Sequence, residues 1–180
     1  MLPDVDARAC AETARWAIEL SERFLLGELA RRAGAQADTA VERPFLVELP
    51  LDPPVLLSGT VDLVLRGPGG GWVLVDYKAS DVTALELPQR VEEHSLQLVL
   101  YALALAEAGW EVEAAYLAYL VPDVIEPVDV GPSSLERARE LLEDFARARS
   151  ELDLPPRPGS ACRWCPWQQV CPDADTAVLP

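Results

Sequence analysis

The chain has 180 residues, half of them hydrophobic, and a formal net charge of −15. That length and composition fit one globular domain with a sizeable core and exclude a disordered chain. The acidic balance excludes a general nucleic-acid coat, which needs clustered Lys and Arg; any nucleic acid is expected in a narrow groove or with a partner supplying affinity.

No apolar run reaches the ~18 residues of a membrane span. The opening MLPDVDARAC lacks the basic and apolar regions of an export signal, so a cytoplasmic location is expected. Residues about 6 to 33 read as an amphipathic helix, with Trp16, Leu20, Phe24, Leu25 and Leu29 at helical spacing and Gly34 as its end. VERPFLVEL (41 to 49) reads as a strand, and Pro44 puts it at a sheet edge or a strand start.

The central stretch is LLSGTVDLVLRGPGGGWVLVDYK, from Leu56 to Lys78. It reads as two strands, 55 to 65 and 72 to 78, joined by a glycine-rich turn. Period-two alternation groups Leu57, Val61, Leu63 and Leu65 on one face of the first strand. In the second it groups Trp72, Leu74, Asp76 and Lys78 against Val73, Val75 and Tyr77. Pairing Arg66 with Trp72 across the turn sets Asp62 opposite Asp76, about 4.5–5.5 Å apart at Cβ, where like charges destabilise a sheet. A divalent cation between them supplies a reason for the arrangement, since magnesium takes hard carboxylate oxygens, carbonyls and water. The bland alternative is a surface hairpin with a weak Asp76–Lys78 ion pair. Lys78 is the only lysine among 15 Lys and Arg residues. Its compact charge and shiftable pKa suit activating a water or stabilising a developing anion, tasks arginine performs poorly.

Residues 79 to 90 read as a loop, and Val91 to Ala108 as a helix apolar nearly all round, hence largely buried. Gln97 and Tyr101 are i and i+4 on one of its faces, and His94 precedes Gln97 by a turn on the same side. A strand over 111 to 122 and a proline-bearing connection follow. Ser133 with Glu136 forms a capping box for a helix to about 150, with Leu135, Ala138, Leu141, Leu142 and Phe145 as its apolar face. The order predicts an α/β fold with a mixed central sheet flanked by helices.

The tail holds Cys162, Cys165 and Cys171 in a C-x2-C-x5-C array, and Cys10 is the one other thiol. Four cysteines in a reducing compartment point to a metal centre with four thiolates, zinc or iron–sulfur, tying a tail over 155–180 to the N-terminal helix of a single domain over 1–180.

GTVDLV with Asp62, VDYK with Asp76 and Lys78, and the Gln97-Leu98-Val99-Leu100-Tyr101 run together resemble the RecB-like branch of the PD-(D/E)XK nucleases. VERPF followed by the hairpin resembles the nuclease domains of the AddAB helicase–nucleases that resect broken DNA. The cysteine arrangement is similar to that of AddB and of the CRISPR-adaptation exonucleases, whose cysteines hold a [4Fe–4S] cluster. The resemblance implies a PD-(D/E)XK restriction-endonuclease-like core and a Mg2+- or Mn2+-dependent DNA exonuclease of double-strand-break repair. Asp62, Asp76 and the carbonyl of Tyr77 would bind the ion. Lys78 would serve the attacking water, and Gln97 and Tyr101 would position the strand or the lysine. Cys10, Cys162, Cys165 and Cys171 would hold the cluster, with structural zinc as the alternative.

Many relatives carry a metal-binding His on a helix before the hairpin, and the single His here is His94. A missing upstream segment, or Glu22 or Glu48 in its place, would account for that; so would a weakened enzyme that acts as a scaffold for DNA or a helicase partner. No G-x-x-x-x-G-K-[ST] phosphate loop is present, so a motor is expected from another chain or segment. A zinc-stabilised interaction domain unrelated to nucleases is the third reading.

Overall fold

Five strands in the order β1-β2-β3-β4-β5 make a single sheet, and the computed structural model describes residues 6–36 and 38–174. The strands are β1 (Ala40–Leu49), β2 (Val55–Arg66), β3 (Trp72–Lys78), β4 (Val112–Tyr119) and β5 (Val124–Val128). All neighbours are antiparallel except β3 and β4, which run parallel and are joined through α3 (Leu87–Glu107). A parallel pair needs such a crossover, because its second strand must start at the far end of the first. The mixed sheet matches the predicted class. Both outer strands carry a proline, Pro44 in β1 and Pro127 in β5.

Helices cover both faces. One core joins Val61, Val64 and Leu74 to Leu98, Ala102 and Leu105 of α3 and to Ala138 and Leu142 of α4 (Pro132–Glu151). The other joins Leu63, Leu65, Val73 and Val75 to Leu29, with Phe24 and Ala33 beside them. Those last three belong to α1 (Ala7–Leu26) and α2 (Glu28–Gly34). The first helix is therefore two. Gly27 is extended, at φ −72° and ψ 163°, and breaks the predicted run into α1 and α2. Leu20 and Leu29 are buried, whereas Trp16 and Leu25 face solvent.

Three other expectations are corrected. α3 begins at Leu87, inside the expected loop, with Pro88 in its first turn where the missing N–H costs nothing. The connection after β4 contains β5, which the turn through Asp123 (φ 58°) pairs back onto β4. α4 has Gly131 as its N-cap, and its entry is held by Asp129, which accepts from Ser134 Oγ at 2.6 Å and from Gly131 N at 2.9 Å; the Ser133–Glu136 box does not form. The inward face of α4 is Ser134, Ala138, Leu142 and Ala146, while Leu141 and Phe145 are substantially exposed.

The turn from β2 to β3 is closed by Glu113 of β4. Its carboxylate accepts from Gly69 N at 3.0 Å and from Gly71 N at 3.1 Å. A Cβ at Gly67 would lie 2.5 Å from that carboxylate, so the glycines are needed for close approach. Arg66 caps the same end by lying 3.7 Å over the Trp72 ring.

Beyond α4 the chain has no regular structure until a 3₁₀ turn at Ser160–Trp164. Leu154, Pro155 and Arg157 line a cleft of about 420 Å³ with Leu141, Leu142 and Phe145, so this segment runs along α4. Residues 175–180, the end of the expected tail, lie outside the described residues. Among the described residues no helix is long and apolar enough to cross a membrane.

Candidate active site

The hairpin pairs Arg66 with Trp72, Leu65 with Val73, Val64 with Leu74 and Leu63 with Val75. This is the register read from the sequence, and one step further it brings Asp62 to Asp76. The ladder stops there. Asp62 Oδ2 instead accepts the backbone N–H of Tyr77 at 2.7 Å, so a side chain takes the place of a main-chain partner.

The strand is irregular at this point. Leu57 and Val61 pack in the α3-side core, but Leu63 and Leu65 pack in the opposite one. Strict alternation, which grouped all four, fails between Val61 and Leu63. Glu42 of β1, which lies between Val41 and Arg43, the partners of Leu63 and Val61, has φ 50°. That value is uncommon for a non-glycine residue and marks a local kink in the pairing. Asp62 sits where β2 changes faces, which turns its carboxylate toward β3.

The second strand follows the predicted alternation. Tyr77 faces the α1 side, where its ring meets Phe24 edge-on at 4.9 Å. Asp76 faces the α3 side and is 4% exposed. Lys78 Nζ lies 2.6 Å from Asp76 Oδ2 and donates to Gln97 Oε1 at 3.1 Å. Gln97 Nε2 in turn donates to the Tyr101 hydroxyl at 3.0 Å. The Gln97 amide is oriented by its two partners, since only its oxygen can accept from the ammonium. Tyr101 packs edge-on against Phe45 at 5.0 Å. Gly59 makes room for both rings, because a Cβ there would lie 2.8 Å from the Tyr101 ring and 2.9 Å from Phe45. Five sequence-predicted residues thus come together: Asp62, Asp76, Lys78, Gln97 and Tyr101.

The charges in this cluster are not fully compensated. Burial pushes the Asp62 carboxyl up, the Tyr77 N–H bond opposes this, and Asp76 and Glu42 push it further up. Burial and then the Asp62 charge raise the Tyr77 phenol to about 12. The ammonium of Lys78 lies 2.6 Å from Asp76 Oδ2, and this ion pair is the one contact that oxygen makes among the described residues. A carboxylate has more lone pairs than one ammonium can use, so this buried group keeps capacity for a further ligand. A hard divalent cation fits this donor chemistry: carboxylate oxygen, low local polarity and a second carboxylate across the strand gap.

Among the described residues no three of His, Cys, Asp and Glu gather to hold one ion, so the acidic pair is the full carboxylate set. Glu22 and Glu48, the expected substitutes for an upstream His, are both exposed. The acidic neighbour missed in the sequence is Glu42, whose charge acts on Asp62. Only its place opposite Asp62 in the β1–β2 register could have signalled it.

The thiols stand apart from this cluster. Cys10 is exposed on α1, and Cys162, Cys165 and Cys171 are half-buried in consecutive turns of the tail. Cys162 Sγ accepts from Gly159 N at 3.5 Å, and Cys171 N donates to Trp167 O at 2.9 Å. All four are free, and a four-thiolate centre tying the tail to α1 is not assembled among the described residues.

The sequence profile described as the PD-(D/E)XK nuclease superfamily matches residues 2–172. Eighteen chains of solved structures match the fold. One, titled "Crystal structure of SSO0001", superposes with a TM-score of 0.55 at 20% identity, covering 94% of this chain and 73% of that one. No curated protein matches the chain.

Proposed function

The chain belongs to the PD-(D/E)XK nuclease superfamily, and from that membership we propose that it is a metal-dependent DNA exonuclease of double-strand-break repair. Membership itself implies hydrolysis of a phosphodiester; DNA, end-directed cutting and repair are our reading. The single observation that carries the site assignment is the buried Asp76–Lys78 ion pair, with Gln97 on the ammonium and Asp62 across the strand gap.

Asp62, Asp76 and the backbone carbonyl of Tyr77 are the groups that would hold Mg2+ or Mn2+. A bound ion of this kind polarises the phosphate and lowers the pKa of its water. The protein's own part is positional. Asp76 and Gln97 hold the Lys78 ammonium from two sides, so its charge is fixed before substrate arrives. From there it orients the attacking water and stabilises the anion that develops. Gln97 relays this order to Tyr101, whose hydroxyl proton is free for the substrate strand because the hydroxyl oxygen accepts from Gln97.

The RecB-like assignment, and within it the likeness to AddAB helicase–nucleases, rests on the ordered set GTVDLV, VDYK and Gln97–Tyr101. It brings a helicase or helicase–nuclease partner into the proposal. The cysteines Cys10, Cys162, Cys165 and Cys171 are proposed as ligands of a [4Fe–4S] cluster, with zinc as the alternative, on their number and spacing. Four free thiols suit a cytoplasmic location. Iron and acid-labile sulfide in an anaerobic preparation test the cluster; zinc or no metal rejects it.

A second reading is a nuclease-fold scaffold that holds DNA or a partner without cutting. The exposure of Glu22 and Glu48 favours it, since two carboxylates are a sparse ion site. End-labelled DNA with and without Mg2+ separates the two. The enzyme reading expects Mg2+-dependent degradation that Asp76→Ala removes; degradation retained in that variant, or none in the parent, rejects it.

A further inference from the structure

The α3 face that meets Lys78 carries one more functional side chain. His94 lies a turn before Gln97, and its Nδ1 stands 3.0 Å from the Tyr119 hydroxyl. Tyr119 is 1% exposed and is the partner of Lys78 in the β3–β4 ladder. The histidine ring is half-buried. Among the described residues its Nε2 has no hydrogen-bond partner and is not buried.

The buried hydroxyl decides the tautomer. A buried O–H needs an acceptor, and Nδ1 is the one within reach. Tyr119 therefore donates to Nδ1, and the proton of the neutral ring resides on Nε2. Burial raises the Tyr119 phenol, which keeps it a donor. Burial and then the Lys78 ammonium hold His94 below its ordinary value, with Asp76 opposing. The ring thus lies in the field of the same Asp76–Lys78 pair. It is a neutral, oriented N–H donor with an open outer edge.

We propose that His94, held by the buried Tyr119 hydroxyl, is a further substrate-binding residue whose Nε2–H donates to a backbone phosphate of a nucleic-acid strand lying along α3. His94, Gln97 and Tyr101 occupy successive turns of one helix face, so a strand reaching Tyr101 passes His94. The contact is to a phosphate next to the scissile one and carries no base preference. The inference rests on the nuclease reading above. Because the contact exists before and during reaction, it acts on binding rather than on the chemical step.

The test uses the full chain, a fluorescein-labelled oligonucleotide and anisotropy in metal-free buffer, followed by steady-state cleavage in Mg2+. His94→Ala is expected to weaken binding about tenfold and to raise KM alike, with kcat nearly unchanged. His94→Gln, whose amide N–H can reach the Nε2 position, should restore most of the affinity. Tyr119→Phe keeps the packing and frees the ring; it should weaken binding about threefold, less than His94→Ala. Unchanged affinity and KM in His94→Ala, or a loss confined to kcat, overturns the inference while a cutting parent protein keeps the nuclease reading. A parent that neither binds nor cuts overturns both. If His94→Ala does not fold, the Gln and Phe variants read the same contact, and equal affinity for Tyr119→Phe and parent overturns it.

Discussion

At its turn, the β2–β3 hairpin holds Glu113 against the amides of Gly69 and Gly71 at 3.0 and 3.1 Å; at its open end it buries Asp76 with Oδ2 2.6 Å from the Lys78 ammonium. The same ladder separates two carboxylates with opposite treatment. Glu113 receives main-chain N–H groups, stands at the exposed start of β4 and holds three elements together. Asp76 is withdrawn from water, faces a second acid and has one cation, the Lys78 ammonium, 2.6 Å away. A charge that a fold needs for its own cohesion is satisfied by that fold. Two acids that share one cation keep capacity for a ligand that arrives later.

Matched substitutions at the two ends test this contrast most strongly. Asp76→Asn is expected to abolish Mg2+-dependent cleavage, while Glu113→Gln leaves kcat and KM as they were. Loss of activity in both would remove the distinction. Lys78→Ala should lower kcat by about a hundredfold to ten-thousandfold, the range for a group that serves proton transfer. Gln97→Ala frees the lysine without removing it and should cost about tenfold to hundredfold, as outer-shell partners of metal sites do. Gly59→Ala should fall in the same direction, because its Cβ displaces the Tyr101 and Phe45 rings.

Smaller effects appear in stability. Glu113→Ala leaves two loop amides to water and should lower stability by about 1–3 kcal/mol, read by urea unfolding. Asp62→Asn should raise the melting temperature of the metal-free protein modestly. The Asp62 pKa is raised on folding, so the charged form is disfavoured in the native state above its folded pKa. That penalty is relieved as pH falls through the folded pKa toward the ordinary 3.8. The advantage of Asp62→Asn over the parent should therefore be full at neutral pH and vanish in acid. A constant difference across pH would assign it to packing instead.

Much of the open end was legible beforehand because hairpin register follows from one assumed pair, Arg66 with Trp72. The i, i+4 spacing of Gln97 and Tyr101 likewise translated directly into a hydrogen bond. What could not be read were departures from ideal periods. The face change at Asp62 comes with a left-handed Glu42, a conformation no residue type at that position announces. Gly27 lay inside a helical pattern that tolerates one glycine, so the break into α1 and α2 was hidden. β5 was hidden by Pro127, which a strand accepts only when its outer side needs no partner. The cap of α4 depended on Asp129, outside the local motif that suggested Ser133.

The prolines at Pro44 and Pro127 have a consequence for how copies of this molecule meet. Each terminal strand offers its unpaired margin to neighbours, and each has a gap in that margin where an amide proton is missing. One missing donor on each flank disfavours edge-to-edge pairing between copies at that point of the sheet.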